Sequence, residues 1–442
     1  MTHRHPTVRW AALLAVGLLA AGCDTESLLE VPDPDVVGPP VFQDPDNLNS
    51  VAAGVVREFA RAYAGTQNNE GGQILLSGLF ADELYHSGTF TTRQQVDARN
   101  VGLENGSATT AYFWLHRARN HGDQADGLFD ESEQAGSDDH AHVLNLTGFS
   151  YVMFAENYCG GVPFSTLPIE GETVFGEANT TDEILQRAID RFDEVLGFTG
   201  AGADELNAAR VGKARALLNM GDYAGAAAAV ASVPTDFSYM AGYSGNIVAA
   251  WNAVWNLVNA ERRWSAGGNE GTNGLPFIFE PGGDPRVPGA DNGPGFNSSI
   301  QAYAQLKYPA PGDDIPVATG IEARLVEAEA ALDAGDRAGF FDAHNGARAT
   351  LGLAALTDTG QTTDELVDIH FQERAYWLWL TSHRLGDLRR LVRQYDRDAA
   401  TVYPIGPTIQ SSTRGSQLSI PVPFSEQNNP NYDPAACDPT RA

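Results

Sequence analysis

One layout occurs twice in this chain and leaves few folds open to it: an Ala-rich helical stretch, a Gly-Asp step, then a second helical stretch. Ala214, Leu218, Gly221-Asp222, Tyr223, Ala226 and Pro234 carry the first copy, and Ala328-Glu329-Ala330-Ala331-Leu332 with Gly335-Asp336 carries the second. Small residues let two antiparallel helices pack closely, so each copy predicts a helix hairpin. Further helices follow from periodicity. Leu48, Val51, Val55, Phe59 and Tyr63 fall three or four apart, with Asp46 and Asn47 as caps and Gly65 as a stop. Others are expected over Thr110–Leu128, His140–Tyr158 (stopped by Gly160-Gly161-Val162-Pro163), Glu205–Asn219 and Ala224–Ser232. One more starts at a Thr181 or Asp182 cap and buries Ile184, Leu185, Ala188, Phe192 and Val195. The fold class is mostly α: a tetratricopeptide-like helix-hairpin array with long irregular loops and little β.

The irregular segments lie near 80–105 and 265–318. The second is dense in Gly, Pro, Asn and Asp, yet carries aromatic residues that a disordered stretch would lack. Aromatic faces suit sugar rings, so Trp264, Phe277, Phe279, Tyr303 and Tyr308 are candidate ligand contacts, with Tyr85 and Phe90 from the first segment. Arg93 and Arg286 are candidate hydrogen-bond donors, against the plainer reading of solvated surface. Trp251 and Trp255, four apart, are expected on one helix face in the core.

The N-terminus predicts the compartment. Arg4 and Arg9 precede an apolar run from Ala11 to Ala21, too short to span a bilayer, and Gly22-Cys23 follows. Residues 1–22 read as a signal peptide. Leu19-Ala20-Ala21-Gly22-Cys23 resembles the lipobox of bacterial lipoproteins, in which the Cys is diacylated; an ordinary signal peptide with an incidental Cys is the alternative. Pro32 and Pro34 make residues 23–43 an extended leash, and residues 44–442 a single helical body. Removing residues 1–22 takes away two Arg and no acid, moving the net charge from −29 to −31. That argues against nucleic acid as a partner. Cys159 and Cys437 remain, either as two thiols or as a disulfide worth about 4–5 kcal/mol at best.

Near the C-terminus, Glu373-Arg374 and His383-Arg384-Leu385-Gly386-Asp387-Leu388-Arg389-Arg390 resemble the ER…GHRWFDLRR stretch of the SusD/RagB-like family of outer-membrane nutrient-uptake lipoproteins. Arg324, Ala328-Glu329-Ala330, Asn345, Arg348 and Gly352-Leu353 resemble its R…AEA…N.VR.R.GL region. Ile420-Pro421-Val422-Pro423 with Asn429-Pro430, and Tyr158 with Gly161-Val162-Pro163, resemble two more of its blocks. Gly386 departs from the bulky residue usual before the Asp, and Trp377-Leu378-Trp379-Leu380 from a more acidic segment. The resemblance implies a cell-surface, lipid-anchored protein that binds an oligosaccharide or peptide and hands it to a TonB-dependent, SusC-like barrel. It carries over no ligand residues.

Glu373, Arg374, Arg384 and Asp387 read as a structural ion-pair network, with Arg384 and Asp387 at i,i+3 spacing, rather than as an anion site. No GxSxG, HExxH, paired CxxC or GxxxxGK[ST] occurs, and the ten His lack metal-ligand spacing. No catalytic residue, metal or cofactor is expected. Two readings of other classes stand beside the first: a helical-repeat scaffold that binds only protein, and, less favoured, a glycoside hydrolase, for which abundant carboxylates are uninformative.

Overall fold

The apolar row from Leu48 to Tyr63 is realised as helix α1 (Leu48–Ala64), which ends where Gly65 turns to φ +107°. The computed structural model describes residues 47–66, 70–166, 172–276 and 283–442. Residues 1–22, Cys23, the leash, the Asp46 cap, Phe277 and Phe279 lie outside these. The helices that follow are α2 (Gln73–Phe80), α3 (Thr91–Asp97), α4 (Gly106–Asp130), α5 (Asp138–Asn157), α6 (Thr181–Gly197), α7 (Ala203–Met220) and α8 (Tyr223–Val230). After an irregular stretch come α9 (Gly320–Asp333), α10 (Arg337–Ala349), α11 (Thr363–Trp377) and α12 (Arg384–Gln394). The fold is mostly α with little strand, a helix-hairpin array. Among the described residues, no helix is long and apolar enough to cross a membrane.

The two Gly-Asp steps do the same work. Gly221 and Gly335 adopt left-handed φ of +82° and +70°, and Asp222 and Asp336 cap the next helix by accepting from the N–H of Gly225 and Gly339. The α6 cap is Thr180, one residue before the expected position. Its hydroxyl accepts from Glu183 N–H while Glu183 accepts from Thr180 N–H, because Thr and Glu stand at capping-box spacing.

Helix α5 is the centre of the body, buried on every side from Val143 to Asn157. Helices α4, α6 and α7 pack on it. Gly148 of α5 and Gly212 of α7 leave the space that the Phe192 ring fills; a Cβ there would sit 2.7 and 2.3 Å from ring carbons. The C-terminal carbonyls of α5 meet a cation: Arg389 donates to Ala155, Glu156 and Tyr158 at 2.6, 2.9 and 2.9 Å. Gly386 fits the same place, since a Cβ would meet Glu156 Cγ at 2.9 Å. A bulky residue there would displace Glu156 from its bond with Arg215 Nε, 2.9 Å.

The ion-pair network exists, with partners other than the i,i+3 spacing suggests. Arg384 reaches across the fold to Asp82 at 2.8 and 2.9 Å, and Asp387 accepts from Arg374 at 3.0 and 2.9 Å. Glu373 bridges Arg286 at 2.7 Å and Arg348 at 2.6 Å. A disulfide joins Cys159 and Cys437, with Cα atoms 5.0 Å apart.

The described parts of segment 265–318 are organised by short antiparallel pairings. Elsewhere β1 (Gly65–Thr66) pairs with β2 (Glu70–Gly71) and β4 (Val162–Pro163) with β5 (Ala178–Asn179); here β7 (Trp264–Ala266) pairs with β3 (Leu84–His86), and β8 (Gly289–Pro294) with β9 (Gln301–Gln305). Strand β10 (Ile315–Thr319) pairs with β6 (Ser238–Ala241), which brings the loop after β6 beside the loop before β10.

Candidate ligand groove

The loop 242–252 is held open by backbone chemistry. Ser244 N–H closes it onto Ala250 C=O at 2.8 Å, Asn252 N–H donates to Pro311 C=O at 2.8 Å, and the Asn252 amide donates to Asp313 C=O at 2.8 Å. Asn252 also caps the next helical turn by accepting from Trp255 N–H at 3.1 Å. Trp251 therefore precedes the helix. It does not share a core face with Trp255, and both indoles are only half-buried, packed edge to face at 5.6 Å. That corrects the core reading of this pair.

Between this loop and α1 runs a groove of about 480 Å³, lined by Arg57, Arg61, Thr66, Tyr243, Trp251 and small residues such as Ala53, Ala60 and Gly242. The Tyr243 hydroxyl donates to Ala60 C=O at 3.0 Å, fixing the ring in the wall. Behind Arg61 stands Trp114 of α4. The Arg61 guanidinium lies 3.0 Å and that of Arg117 5.0 Å from an indole ring centroid, a cation–π arrangement. Glu58 is engaged by Arg117 at 2.8 Å, and Glu70 lies 3.5 Å from Arg61. Burial, and then repulsion from Arg117, contribute to holding the Arg61 pKa below its ordinary value.

Glu70 also borders a second, shallower hollow of about 340 Å³ with Phe90, Thr92, Arg93, Ser107 and Thr110. Here Arg93 and Arg263 lie 4.6 and 5.2 Å from the exposed Phe90 ring, and Arg263 lies 3.6 Å from that of exposed Phe296. The two hollows meet at the β1 (Gly65–Thr66) and β2 (Glu70–Gly71) pair.

The structure distributes the sequence candidates unevenly. Phe90 is open, at 42% exposure, and Tyr303 is half-buried. Trp264, at 1%, is a core side chain. Tyr85 and Tyr308 are buried too, donating to Gln301 C=O at 2.6 Å and Leu380 C=O at 3.2 Å. Arg286 is held by Asp284 and Glu373, and Arg93 is buried beneath Phe90. Trp264, Tyr85, Tyr308 and Arg286 can shape a site only from below, whereas Arg93, though buried, lines the second hollow. Arg57, Arg61 and Tyr243 were not singled out from the sequence, and Trp251 was read as core rather than as a ligand contact. The available signal was Asn252, a cap residue directly after Trp251, following the turn-forming run Gly242-Tyr243-Ser244-Gly245-Asn246.

Beside Trp264, buried His86 has its pKa pushed down to about 3 by burial, reinforced by Arg93. An unfolded His titrates near 6.5, so between those values the unfolded chain binds the extra proton and stability falls as pH falls. His86→Gln is expected to flatten that acid limb by nearly one proton. Urea unfolding from pH 7 to 4 reads the slope; an unchanged slope refutes the assignment.

Asp126, Asp130, His140 and Glu194 also gather within ligand distance of one another. His140 Nδ1 accepts from Gly136 N–H at 3.1 Å while Nε2 faces Asp126 at 2.9 Å, so both ring nitrogens are engaged. Arg191 already supplies a cation to Asp126 at 2.6 Å and Glu194 at 3.3 Å. The group is an ion-pair network, poorly suited to a metal.

Compared by sequence, the chain matches no family profile and no curated protein. Compared by structure, it resembles many solved proteins. A SusD-like carbohydrate-binding protein of Bacteroides fragilis superposes with a TM-score of 0.65 at 16% identity, over 89% of this chain and 100% of that one. A SusD superfamily protein of Bacteroides vulgatus gives 0.63 at 14%, over 90% and 99%. A SusD-like carbohydrate-binding protein of the same species gives 0.56 at 14%, over 78% and 83%. These superpositions cover most of the chain, which has the SusD-like fold.

Proposed function

We propose that this chain is a lipid-anchored protein of the outer-membrane surface that captures a glycan in the Arg57–Trp251 groove and delivers it to a TonB-dependent, SusC-like transporter. The observation that carries the reading is the groove itself: an accessible indole and phenol beside guanidinium groups, on rigid supports. Flat apolar faces with a few directional donors are what a sugar ring requires. Two of the similar solved structures are described as carbohydrate-binding, which supports the same ligand class. Cys23, at the end of a lipobox-like run, supports the anchor. The paired strands and aromatic residues in the described parts of 265–318 favour a ligand-binding body over a pure scaffold. Binding without turnover is the activity inferred.

Two measurements test this. Tagged protein drawn gently from detergent-solubilised outer membranes of its native host is expected to bring a stoichiometric TonB-dependent barrel; its absence refutes the delivery half. On a glycan array, Trp251→Ala is expected to weaken the best-bound glycan by about tenfold or more, the scale of losing one aromatic anchor. An unaltered array profile removes the groove as the site.

A further inference from the structure

The charged side chains that line the groove are of one sign. Arg57 and Arg61 are both arginines, and the lining includes no acid, in a chain with 57 acidic against 28 basic residues. Most of such a surface repels anions, so a stretch walled by two guanidiniums is where a negative ligand is least opposed. The nearby carboxylates are already committed. Glu58 is buried against Arg117, Glu70 lies between Arg61 and the Thr66 hydroxyl, and Asp314 accepts from Tyr243 N–H at 2.9 Å. Arg57 is exposed and makes no ion pair among the described residues.

The arrangement also carries a cost within the fold. Arg57 and Arg61 stand at i,i+4 on α1, where like charges face each other and oppose the helix. Arg117, over the same indole as Arg61, adds a third cation. An anion seated between the first two would offset that repulsion. A carboxylate suits them because a guanidinium presents a planar fork that matches its two oxygens. Trp251 and Tyr243 occupy the opposite wall, so the charge contact and the ring contact fall on one ligand.

We propose that the groove selects an acidic glycan, a chain of uronate-type sugars whose carboxylates pair with Arg57 and Arg61 while a ring lies against Trp251. This rests on the reading of the groove as a glycan site.

The test uses the full chain, purified in detergent, and calorimetric titration with three probes: hexagalacturonate, its fully methyl-esterified form, and hexaglutamate. In about 50 mM salt, hexagalacturonate is expected to bind about tenfold or more tighter than its ester, with the gap narrowing towards about 500 mM as screening shortens the reach of the charges. Arg57→Gln is expected to bring the acid-to-ester ratio towards one, and Arg57→Lys to restore part of it. Arg57 is exposed, so neither change threatens the fold. Equal, Trp251-dependent binding of acid and ester would overturn the charge selectivity and leave the glycan reading standing. Hexaglutamate binding as tightly as hexagalacturonate would overturn the sugar class. Failure to bind either sugar would overturn this proposal, and the array with neutral glycans then decides the broader reading separately.

Discussion

Glu329→Gln is expected to lower the unfolding free energy by about 3–5 kcal/mol, although it changes one atom of the side chain. Glu329 is fully buried on α9 and accepts from Arg390, from His370 Nε2 at 3.0 Å and from the Tyr395 hydroxyl at 2.7 Å. Burial alone favours the neutral acid, but Arg390, His370 and Arg374 outweigh it and hold the carboxyl well below its usual range. The ionised carboxylate is thus the form the fold is built around. Removing it leaves Arg390, at 1% exposure, with the neutral Gln394 amide oxygen at 3.0 Å and, as its one charged partner among the described residues, a 3.4 Å contact to Asp387, which Arg374 already occupies. A buried cation without its partner is the expensive case, whereas removing both partners is much cheaper. The double variant Glu329→Gln/Arg390→Met is therefore expected to regain a large part of the loss. The pH dependence has a definite sign. A folded-state pKa below the unfolded value near 4.5 gives stability that is present above pH 4.5 and lost as pH falls below it. Urea melts at pH 7 and pH 3.5 read both effects. A single-variant loss under about 1 kcal/mol at pH 7 would sink this account of the network.

Why part of the surrounding ion-pair network was legible in the sequence, and neither the place of Glu329 in it nor the groove was, comes down to the range of the signals. The Gly-Asp steps at 221 and 335, the periodic rows of α1 and α6, and the Gly-Gly-Val-Pro stop after α5 are local patterns set by backbone geometry and capping. Each is realised within a few residues of its expected place. Glu373, Arg374, Arg384 and Asp387 were recognisable as structural because charged residues amid apolar helix positions must be paired. Which partner each takes was not, since Asp82 lies 302 residues from Arg384. The groove poses the same difficulty. Its walls come from α1 and from a loop nearly 200 residues later, brought together by the β6–β10 pairing and braced by residues 311–314. The tryptophans show the cost of reading spacing alone. Trp251 and Trp255 stand four apart yet Trp251 precedes the helix, while Trp264, placed in a Gly-rich region, is sealed under β3 and Arg93. Exposure of an aromatic residue is decided by tertiary contacts that neighbouring sequence does not record.

Removing the disulfide, by Cys159→Ser with Cys437→Ser or by reduction, is expected to cost about 3–5 kcal/mol. The bond spans 278 residues, and a loop of that length restricts the unfolded chain strongly, with about 5 kcal/mol as the ceiling of the entropic argument. The native side of the balance is well prepared. Cys159 is 2% exposed at the end of α5, where its N–H donates to Ile420 C=O at 3.1 Å, and Leu418 N–H donates to Pro439 C=O at 2.6 Å. The tail also packs on Gly161, where a Cβ would sit 2.9 Å from the Ala436 side chain. The bond therefore fastens the tail across the same strand-like contact that closes the end of the central helix. Two effects are then separable. Loss of the constraint on the unfolded chain lowers the urea midpoint of the whole body, whereas fraying of the tail alone raises hydrogen exchange at Leu418 and Cys159 without moving the midpoint. The loop-length argument requires the first. If reduction only exposes the last few residues and the midpoint stays in place, the bond is a local clasp and long-range loop closure contributes nothing measurable to the stability of this fold.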